Sequence, residues 1–321
     1  MFFQYNIIKR KKDLDKLLNK LTNKPIVSIV IPTFNGSKYL SQAIESTLVQ
    51  TFFNFELIIV DDGSVDNSPA IIDEYMKKDQ RINYIRNEKN IKLPGSLNVG
   101  FSLAQGEYYT WLSDDNMYKQ NSIEVMLSYL LNHKDVDIVY SDYSIINEQG
   151  IELRDVILDN PENLLKGNCI GACFLYKREV HERLGGYSTD LYLAEDYDFW
   201  LRASVCFKIV KIEKNLYFYR QHKDSLSSKR YEAILTATEK VLVRYMSIVF
   251  LAKGRHKSQA YLSLCNLSNK QGKKLVAINY FLKSFFCNPL YVISNGYLIL
   301  LKLILGEKIL YKLLKMLLFR H

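Results

Sequence analysis

Long apolar runs, paired cysteines and glycine-rich phosphate loops are all missing from this chain, and each absence removes a class of protein. No stretch of about 18 uninterrupted apolar residues occurs, so a conventional transmembrane helix is not expected. The N-terminal MFFQYNIIKRKKDLDKLL puts its apolar residues ahead of its basic cluster and lacks a long apolar segment, the wrong order for a secretory signal. The five cysteines, Cys169, Cys173, Cys206, Cys265 and Cys287, show neither CxxC pairing nor zinc-ligand spacing, which predicts reduced packing thiols in a cytoplasmic protein. Neither G-x-G-x-x-G nor G-x-x-x-x-G-K-[ST] is present, so the dinucleotide fingerprint and the P-loop are both excluded.

Acidic residues are scarce at one end. From Lys253 to His321, 12 Lys and Arg face a single acid, Glu307, an excess larger than the +9 of the whole chain. A nearly neutral body therefore carries a strongly basic tail. Nucleic acid, an anionic membrane and an acidic partner are the surfaces such a tail suits. With 48% hydrophobic residues, the 321-residue chain can bury one large core or two smaller ones.

What is present is organised around Tyr108–Asn116, YYTWLSDDN. Tyr108 to Leu112 have the composition of a buried strand, and two adjacent carboxylates, Asp114 and Asp115, follow where that strand must end. Paired charges are not tolerated inside a buried strand, so they must face solvent, a cation or a ligand. In open α/β sheets ligands bind at the carboxyl ends of strands, which makes this pair the candidate centre of an active site.

The preceding chain supports that sheet. IVSIVIPTFNG is a continuous apolar run stopped by Pro32, Asn35 and Gly36, and Ser37 is placed to cap a helix over Lys38–Gln50. A second buried strand, Phe55–Val60, runs into Asp61, Asp62 and Gly63. A helix through Ile71, Ile72, Tyr75 and Met76, a strand INYIRN and a helical segment around Leu97–Ala104 follow. The order β-α-β-α-β-α-β with every strand apolar predicts an α/β fold with a parallel sheet and helices on both faces. Acids at two successive strand ends are its distinctive feature, although Asp is also common in turns and caps.

Beyond Asn116 the pattern changes. Ser122–Leu131 reads as a helix, Val136–Tyr140 as a strand ending in Ser141 and Asp142, and Gly185-Gly186 as a turn. LYLAEDYDFWLRAS then places Glu195, Asp196 and Asp198 in the first turn of a helix anchored by Phe199 and Leu201. Acids favour helix N-termini through the dipole, so capping alone accounts for them; a catalytic base at the open end of the sheet is the functional alternative. Another strand leads to His222, flanked by Arg220 and Lys223, at an abrupt change from aromatic to polar chain. A lone histidine is more often structural, but this placement suits a ligand role.

In series, IPTFN, IIVDDGSVDNS, GEYYTWLSDDN, GGYSTDLYLAEDYDFWLR and YRQHKDSLS resemble the family 2 glycosyltransferases, over roughly Pro25 to Ser228. Many relatives carry Asp-x-Asp-Asp; here Leu112 stands two before Asp114, leaving Ser113-Asp114-Asp115. The resemblance implies a GT-A-type, Rossmann-like, mostly parallel sheet flanked by helices, with a C-terminal helical extension. It implies an inverting enzyme that moves a sugar from a nucleotide diphosphate sugar, UDP-linked foremost, to a hydroxyl of a glycan or glycolipid in surface polysaccharide or glycoconjugate synthesis. Pro32, Thr33, Phe34, Asn35, Asp61, Asp62 and Asp114 would then line the donor, Asp61 accepting an imino hydrogen bond from the nucleobase. Asp115, supported by Asp114, would hold Mg²⁺ or Mn²⁺, a Lewis acid for the departing diphosphate, with His222 reaching the metal or the diphosphate. Asp196 would be the base that deprotonates the acceptor, its pKa raised by Glu195 and aromatic neighbours.

The boundaries that follow are an N-terminal helical segment over 1–24 (Lys9 to Leu21 carry its apolar face) and a catalytic domain over 25–228. That domain divides into a donor half, 25–116, and an acceptor half, 117–228; a basic helical region spans 229–321. Ala260 to Pro289 resembles one tetratricopeptide-like helical pair. Lys308, Lys312 and Lys315 lie opposite Leu310, Leu313, Leu314 and Leu317, the pattern of a basic amphipathic helix at the inner membrane surface or of a helix packed on its neighbour. Two other classes compete. A nucleotidyltransferase calls for a basic, glycine-rich loop after the first strand, which PTFNGS does not supply. A nucleic-acid adaptor calls for polar or stacking partners that the aliphatic tail lacks, so no nucleic acid is expected. Homo-oligomer formation is left open.

Overall fold

A computed structural model describes residues 24–248 and 254–305, which fall into two compact units. One comprises the described chain up to Pro161 together with Cys169–Ser225, and the other Glu162–Asn168 together with the chain from Leu226. The expected helices over Lys9–Leu21 and Lys308–Leu317 lie outside the described residues.

In the first unit β1 (Val27–Thr33), β2 (Phe55–Asp61), β3 (Ile82–Arg86) and β4 (Tyr108–Trp111) pair in parallel in the order β3-β2-β1-β4. Every residue of β1, β2 and β4 is buried, so these strands show no polar alternation in sequence. Helices Leu40–Leu48, Ser68–Lys78 and Lys92–Leu103 provide the crossovers. A Cβ on Gly100 would sit 2.6 Å from Val30 Cγ1, so glycine is what lets the third helix approach the sheet.

Beyond β4 the sheet turns mixed. β5 (Met117–Tyr118), β6 (Ile138–Ile146), β8 (Phe174–Lys177) and β9 (Ile209–Arg220) continue it as β4-β8-β6-β9-β5, with β7 (Glu152–Val156) against β6. The β4–β8, β8–β6, β6–β7 and β9–β5 pairings are antiparallel and β6–β9 is parallel. The result is the α/β sheet the resemblance implies, with helices C-terminal to it.

Two local expectations fail. Ser37 does not cap the first helix. Its N–H donates to Asp66 Oδ2 at 3.0 Å, and the Gly36 carbonyl receives Tyr39 and Leu40 instead, so the helix begins at Leu40. Nor does β6 stop at Ser141 and Asp142. Asp142 Oδ1 takes the Leu158 N–H at 2.7 Å and pairs with Lys211 Nζ at 3.0 Å, so partners on both edges let polar residues continue the strand.

Under the second half of the sheet lies an aromatic core. Phe199 stacks on Tyr187 (ring centroids 4.6 Å apart), Trp200 meets Phe174 edge-on at 4.7 Å, and Phe101 lies 4.7 Å from His181.

The second unit is helical: Leu226–Lys229, Tyr231–Ile248, Gly254–Lys270, Lys274–Cys287, Pro289–Asn295 and Tyr297–Leu305. Ser258 and Ser284 join two of these helices through a buried contact, Oγ to Oγ at 2.8 Å. Leu262, Tyr291 and Val292 form a small cluster with Phe281 and Ile299, and Val241, Leu242, Leu264 and Cys265 are buried as well.

Burial, and then the charge of Arg202, push the pKa of His181 down to about 4. The folded state holds this imidazole neutral, whereas the unfolded chain takes up a proton near pH 6.5. Its contribution to stability is complete above pH 6.5 and is lost as pH falls from there to about 4. The melting temperature of His181→Phe is therefore expected to fall less than the wild type's between pH 7 and pH 4.5. Parallel curves would show that His181 does not carry the dependence.

Candidate active site

The carboxyl ends of β1, β2 and β4 deliver the acids that the sequence singled out, and the end of β9 is drawn in beside them. Thr33, the last residue of β1, donates from Oγ1 to Asp114 Oδ2 at 2.6 Å. Gly36 makes room for that contact: a Cβ there would lie 2.1 Å from Asp114 Oδ2 and 2.6 Å from Thr33 Oγ1. Burial, and then the neighbouring charge of Asp115, push the Asp114 carboxyl well above the ordinary carboxylate range. Asp115 turns the other way, its Oδ2 lying 3.0 Å from His222 Nε2. Three predicted residues, Asp114, Asp115 and His222, thus stand in one row, with Thr33 at its foot.

The loops that follow β1 and β2 are braced against each other. Asn35 adopts a left-handed backbone (φ 56°), and its N–H donates to Ser64 Oγ while its Oδ1 accepts the Val65 N–H, both at 2.9 Å. Phe34 is half exposed and Val65 89% exposed, so two apolar side chains rim the opening. Pro32 is buried in β1 opposite Val60. Asp61 is fully buried; it accepts the Ser64 N–H at 2.8 Å and the Tyr84 hydroxyl at 3.1 Å, with Arg86 Nε 3.6 Å away. Asp62 faces elsewhere. It accepts from Asn87 Nδ2, Ile91 N and Lys92 N, each at 2.9 Å, and shapes the loop entering the helix Lys92–Leu103.

Glu195, Asp196 and Asp198 do open a helix, Glu195–Cys206, and their environments set them apart. Asp198 is engaged structurally, with Ser188 Oγ at 2.6 Å and Arg202 Nε at 2.8 Å. Arg202 in turn donates to the carbonyls of Leu184 and Gly186, so this pair holds the Gly185-Gly186 turn. Glu195 is buried with no hydrogen-bond partner at Oε2, and burial followed by the Asp196 charge pushes its carboxyl well above the ordinary range. Asp196 is half-buried and accepts the Tyr197 N–H at 2.7 Å. Leu193, two residues before this pair, has φ 80°, a strained backbone for a leucine.

Tyr187 ties this helix to the carboxylate row. Its hydroxyl accepts Trp111 Nε1 at 3.0 Å on the strand leading to Asp114, and its ring stacks on Phe199. Asn98 grips the backbone of Tyr187 from both sides, at 2.8 and 2.9 Å. Tyr187, Asn98, Tyr39 and Arg220 were not among the candidate site residues, and Gly36 stood out only as a stop to the first strand. Arg220 carried a signal as a charge flanking His222.

The residues fit a divalent cation. Among the described residues no group of three or more His, Cys, Asp and Glu is placed to hold a metal ion. What is assembled is a carboxylate against an imidazole, with a second carboxylate alongside and the remaining positions open. Mg²⁺ and Mn²⁺ are commonly held by one or two carboxylates together with substrate phosphates, and an imidazole suits Mn²⁺ better.

The sheet is parallel over β3-β2-β1-β4 and mixed beyond, with acids at the ends of β2 and β4 and a further acidic pair opening the helix Glu195–Cys206, the architecture expected of a GT-A glycosyltransferase. Comparison with known proteins gives the family: the Glycosyl transferase family 2 model matches residues 28–185. An uncharacterised glycosyltransferase of Rickettsia typhi, RT0329, is 34% identical over 229 residues, 68% of each chain. The chain belongs to glycosyl transferase family 2. It spans about half the length of other curated relatives it matches, such as a Rickettsia felis glycosyltransferase (29% identical, 78% of this chain, 46% of that one). Among solved structures, Staphylococcus aureus TarS 1-349 in complex with UDP-GlcNAc superposes with a TM-score of 0.62 at 18% identity, covering 80% of this chain and 81% of that one. The mannosyltransferase PcManGT of Pyrobaculum calidifontis, in complex with GDP-Man and Mn²⁺, gives 0.55 at 15% identity, covering 86% and 77%. At such identities the likeness establishes the fold.

Gly36→Ala is expected to force Thr33 and Asp114 apart and to weaken nucleotide binding at least ~10-fold while the melting temperature changes by only a few degrees. Calorimetric titration with UDP, beside a thermal melt, checks this. Unchanged affinity would mean that the Thr33–Asp114 contact does not shape the donor site.

Proposed function

We propose that this chain transfers a sugar, with inversion, from a nucleotide diphosphate sugar to a hydroxyl of a glycan or glycolipid acceptor. The observation that carries the reading is the row Asp114–Asp115–His222 at the ends of the buried strands. UDP-sugar is the leading donor, because Asp61 at the end of β2 offers a carboxylate for a uracil imino group, with Phe34 and Val65 as apolar walls. Thr33, Asn35 and Asp114 shape the floor beneath the diphosphate. Asp62 supports that floor indirectly, through the Asn87–Lys92 loop.

Asp115 and His222 would hold Mn²⁺ or Mg²⁺, which when bound neutralises the charge that builds on the departing diphosphate. Asp196 takes the proton from the acceptor hydroxyl, and that oxygen attacks the anomeric carbon opposite the diphosphate. Buried Glu195 lies behind Asp196 with its carboxyl pushed toward the neutral form, which places a proton next to the base rather than a second full negative charge. The aromatic floor of Tyr187, Phe199 and Trp200 fixes the helix that carries both acids. Nothing here requires a glycosyl-enzyme intermediate.

Asp196→Asn is expected to leave UDP binding intact and to cut turnover by ~10²-fold or more, the usual size of a general-base contribution. Asp115→Asn should remove the metal-dependent part of nucleotide binding as well as turnover. Steady-state kinetics with calorimetric UDP binding, with and without Mn²⁺, separate the two. Equal losses of affinity and turnover in Asp196→Asn would make that residue part of the donor site instead.

We further propose that the helical unit attaches the chain peripherally to an anionic membrane surface on the cytoplasmic side. Among the described residues no helix is long and apolar enough to cross a membrane. On helix Lys274–Cys287, Leu275 (84%), Ile278, Leu282 and Phe286 (81%) are exposed at helical spacing; Leu290, Ile293, Tyr297 and Ile304 are exposed along the next two helices. Lys274, Lys283 and Lys302 lie among them. Each lysine near an anionic surface contributes about 1 kcal/mol, and buried leucine side chains add to it. Leu275→Asp combined with Phe286→Asp should abolish flotation with phosphatidylglycerol vesicles and leave UDP binding untouched. Unaltered flotation would place the attachment elsewhere, for instance in the Lys9–Lys12 cluster.

A further inference from the structure

Arg220 is 1% exposed, and its guanidinium is bound by neutral acceptors. Nε donates to the Asp115 carbonyl at 2.9 Å, Nη1 to the carbonyls of Asn147 and Glu148 at 3.0 Å each, and Nη2 to Gln42 Oε1 at 2.6 Å with Met117 Sδ 4.0 Å away. Its backbone N–H donates to Asn116 Oδ1 at 2.7 Å. One residue therefore grips the Asp115–Asn116 turn twice, its side chain at the Asp115 carbonyl and its main chain at the Asn116 side chain. The guanidinium carbon sits 4.6 Å above the Tyr39 ring, and the same ring lies 5.1 Å from the His222 imidazole.

A buried guanidinium is costly, and an apolar residue of similar volume would pack this position at less expense. What an apolar residue could not do is join four segments at one point: the end of β9, the Asp114–Asn116 turn, the Asn147-Glu148 turn and the first helix. Asp115 and His222 reach the site from segments 107 positions apart in sequence, and no covalent feature sets their distance. Arg220 lies two residues before His222, so each hydrogen bond it makes to the Asp115 turn also sets the imidazole against the carboxylate. Lysine, with three donors on a flexible stem, cannot reproduce the planar five-donor fork.

We propose that Arg220 is the positioning residue that holds Asp115 and His222 at the separation needed to take a divalent cation with the donor diphosphate, an inference that rests on the metal reading above. It touches neither cation nor substrate and acts through the two residues it fixes.

The test measures UDP affinity by calorimetry with and without Mn²⁺, beside thermal melts, for the wild type, Arg220→Lys and Gln42→Ala. Arg220→Lys is expected to keep its metal-free UDP affinity and lose at least ~10-fold of the Mn²⁺-dependent gain. Gln42→Ala removes one acceptor at an exposed residue and leaves the core intact, so it should lose a smaller part, about 2- to 5-fold, at unchanged melting temperature. If Arg220→Lys does not fold, the Gln42→Ala result alone decides. A full Mn²⁺-dependent gain in the folded variants overturns the positioning role alone. A wild type that shows no Mn²⁺-dependent gain overturns the metal reading and this inference with it.

Discussion

Two adjacent carboxylates at the end of a fully buried strand are an electrostatic problem that the rest of the first unit answers. Asp114 and Asp115 repel each other where water is partly excluded, and leaving both uncompensated would cost more than most single interactions return. The fold divides them. Asp114 is turned onto the Thr33 hydroxyl, in a gap that exists because residue 36 has no side chain. Asp115 is turned onto His222, which reaches it only because β9 runs back alongside β6 and ends beside the turn.

The same economy appears on the facing helix. Glu195, Asp196 and Asp198 occupy one helical turn, yet each meets a different environment. Asp198 is neutralised by Arg202 and bound to holding the Gly185-Gly186 turn. Glu195 is buried with one carboxyl oxygen unpartnered and is driven toward its neutral form, while Asp196 keeps access to solvent. Three acids in one helical turn thus come to differ: one ion-paired strut, one buried carboxyl driven toward its neutral form and one carboxylate that is only half-buried. The helix dipole favours all three and distinguishes none of them; the packing of Tyr187 and Phe199 sets their positions.

The two units differ in how they meet water. The first encloses a continuous core running from β1 through β9. The second buries Val241, Leu242, Leu264 and Cys265 along its helices and, among its described residues, leaves Leu275, Phe286, Leu290 and Ile304 exposed.

The apolar runs IVSIVIPT and FELIIVD, their helical crossovers and the acids at their ends were legible in the sequence, because buried parallel strands read as near-continuous apolar runs and adjacent carboxylates are costly inside them. The series of motifs was specific enough to indicate the family. Local spacing could not assign the roles of individual polar residues. Ser37 had the composition of a cap, but Asp66, 29 positions on, took its N–H. Ser141 and Asp142 had the composition of a strand end, but Lys211 and Leu158 supplied partners that let β6 continue. Arg220 was just a charge flanking His222 until the turns at Asp115 and Asn147 and, 178 positions away, Gln42 were folded around it. Which residues are apolar or acidic, and at what period, is written along the chain and decides strands, helices and candidate acids; which carboxylate meets which donor depends on contacts between distant segments, and those exist only once the sheet has closed.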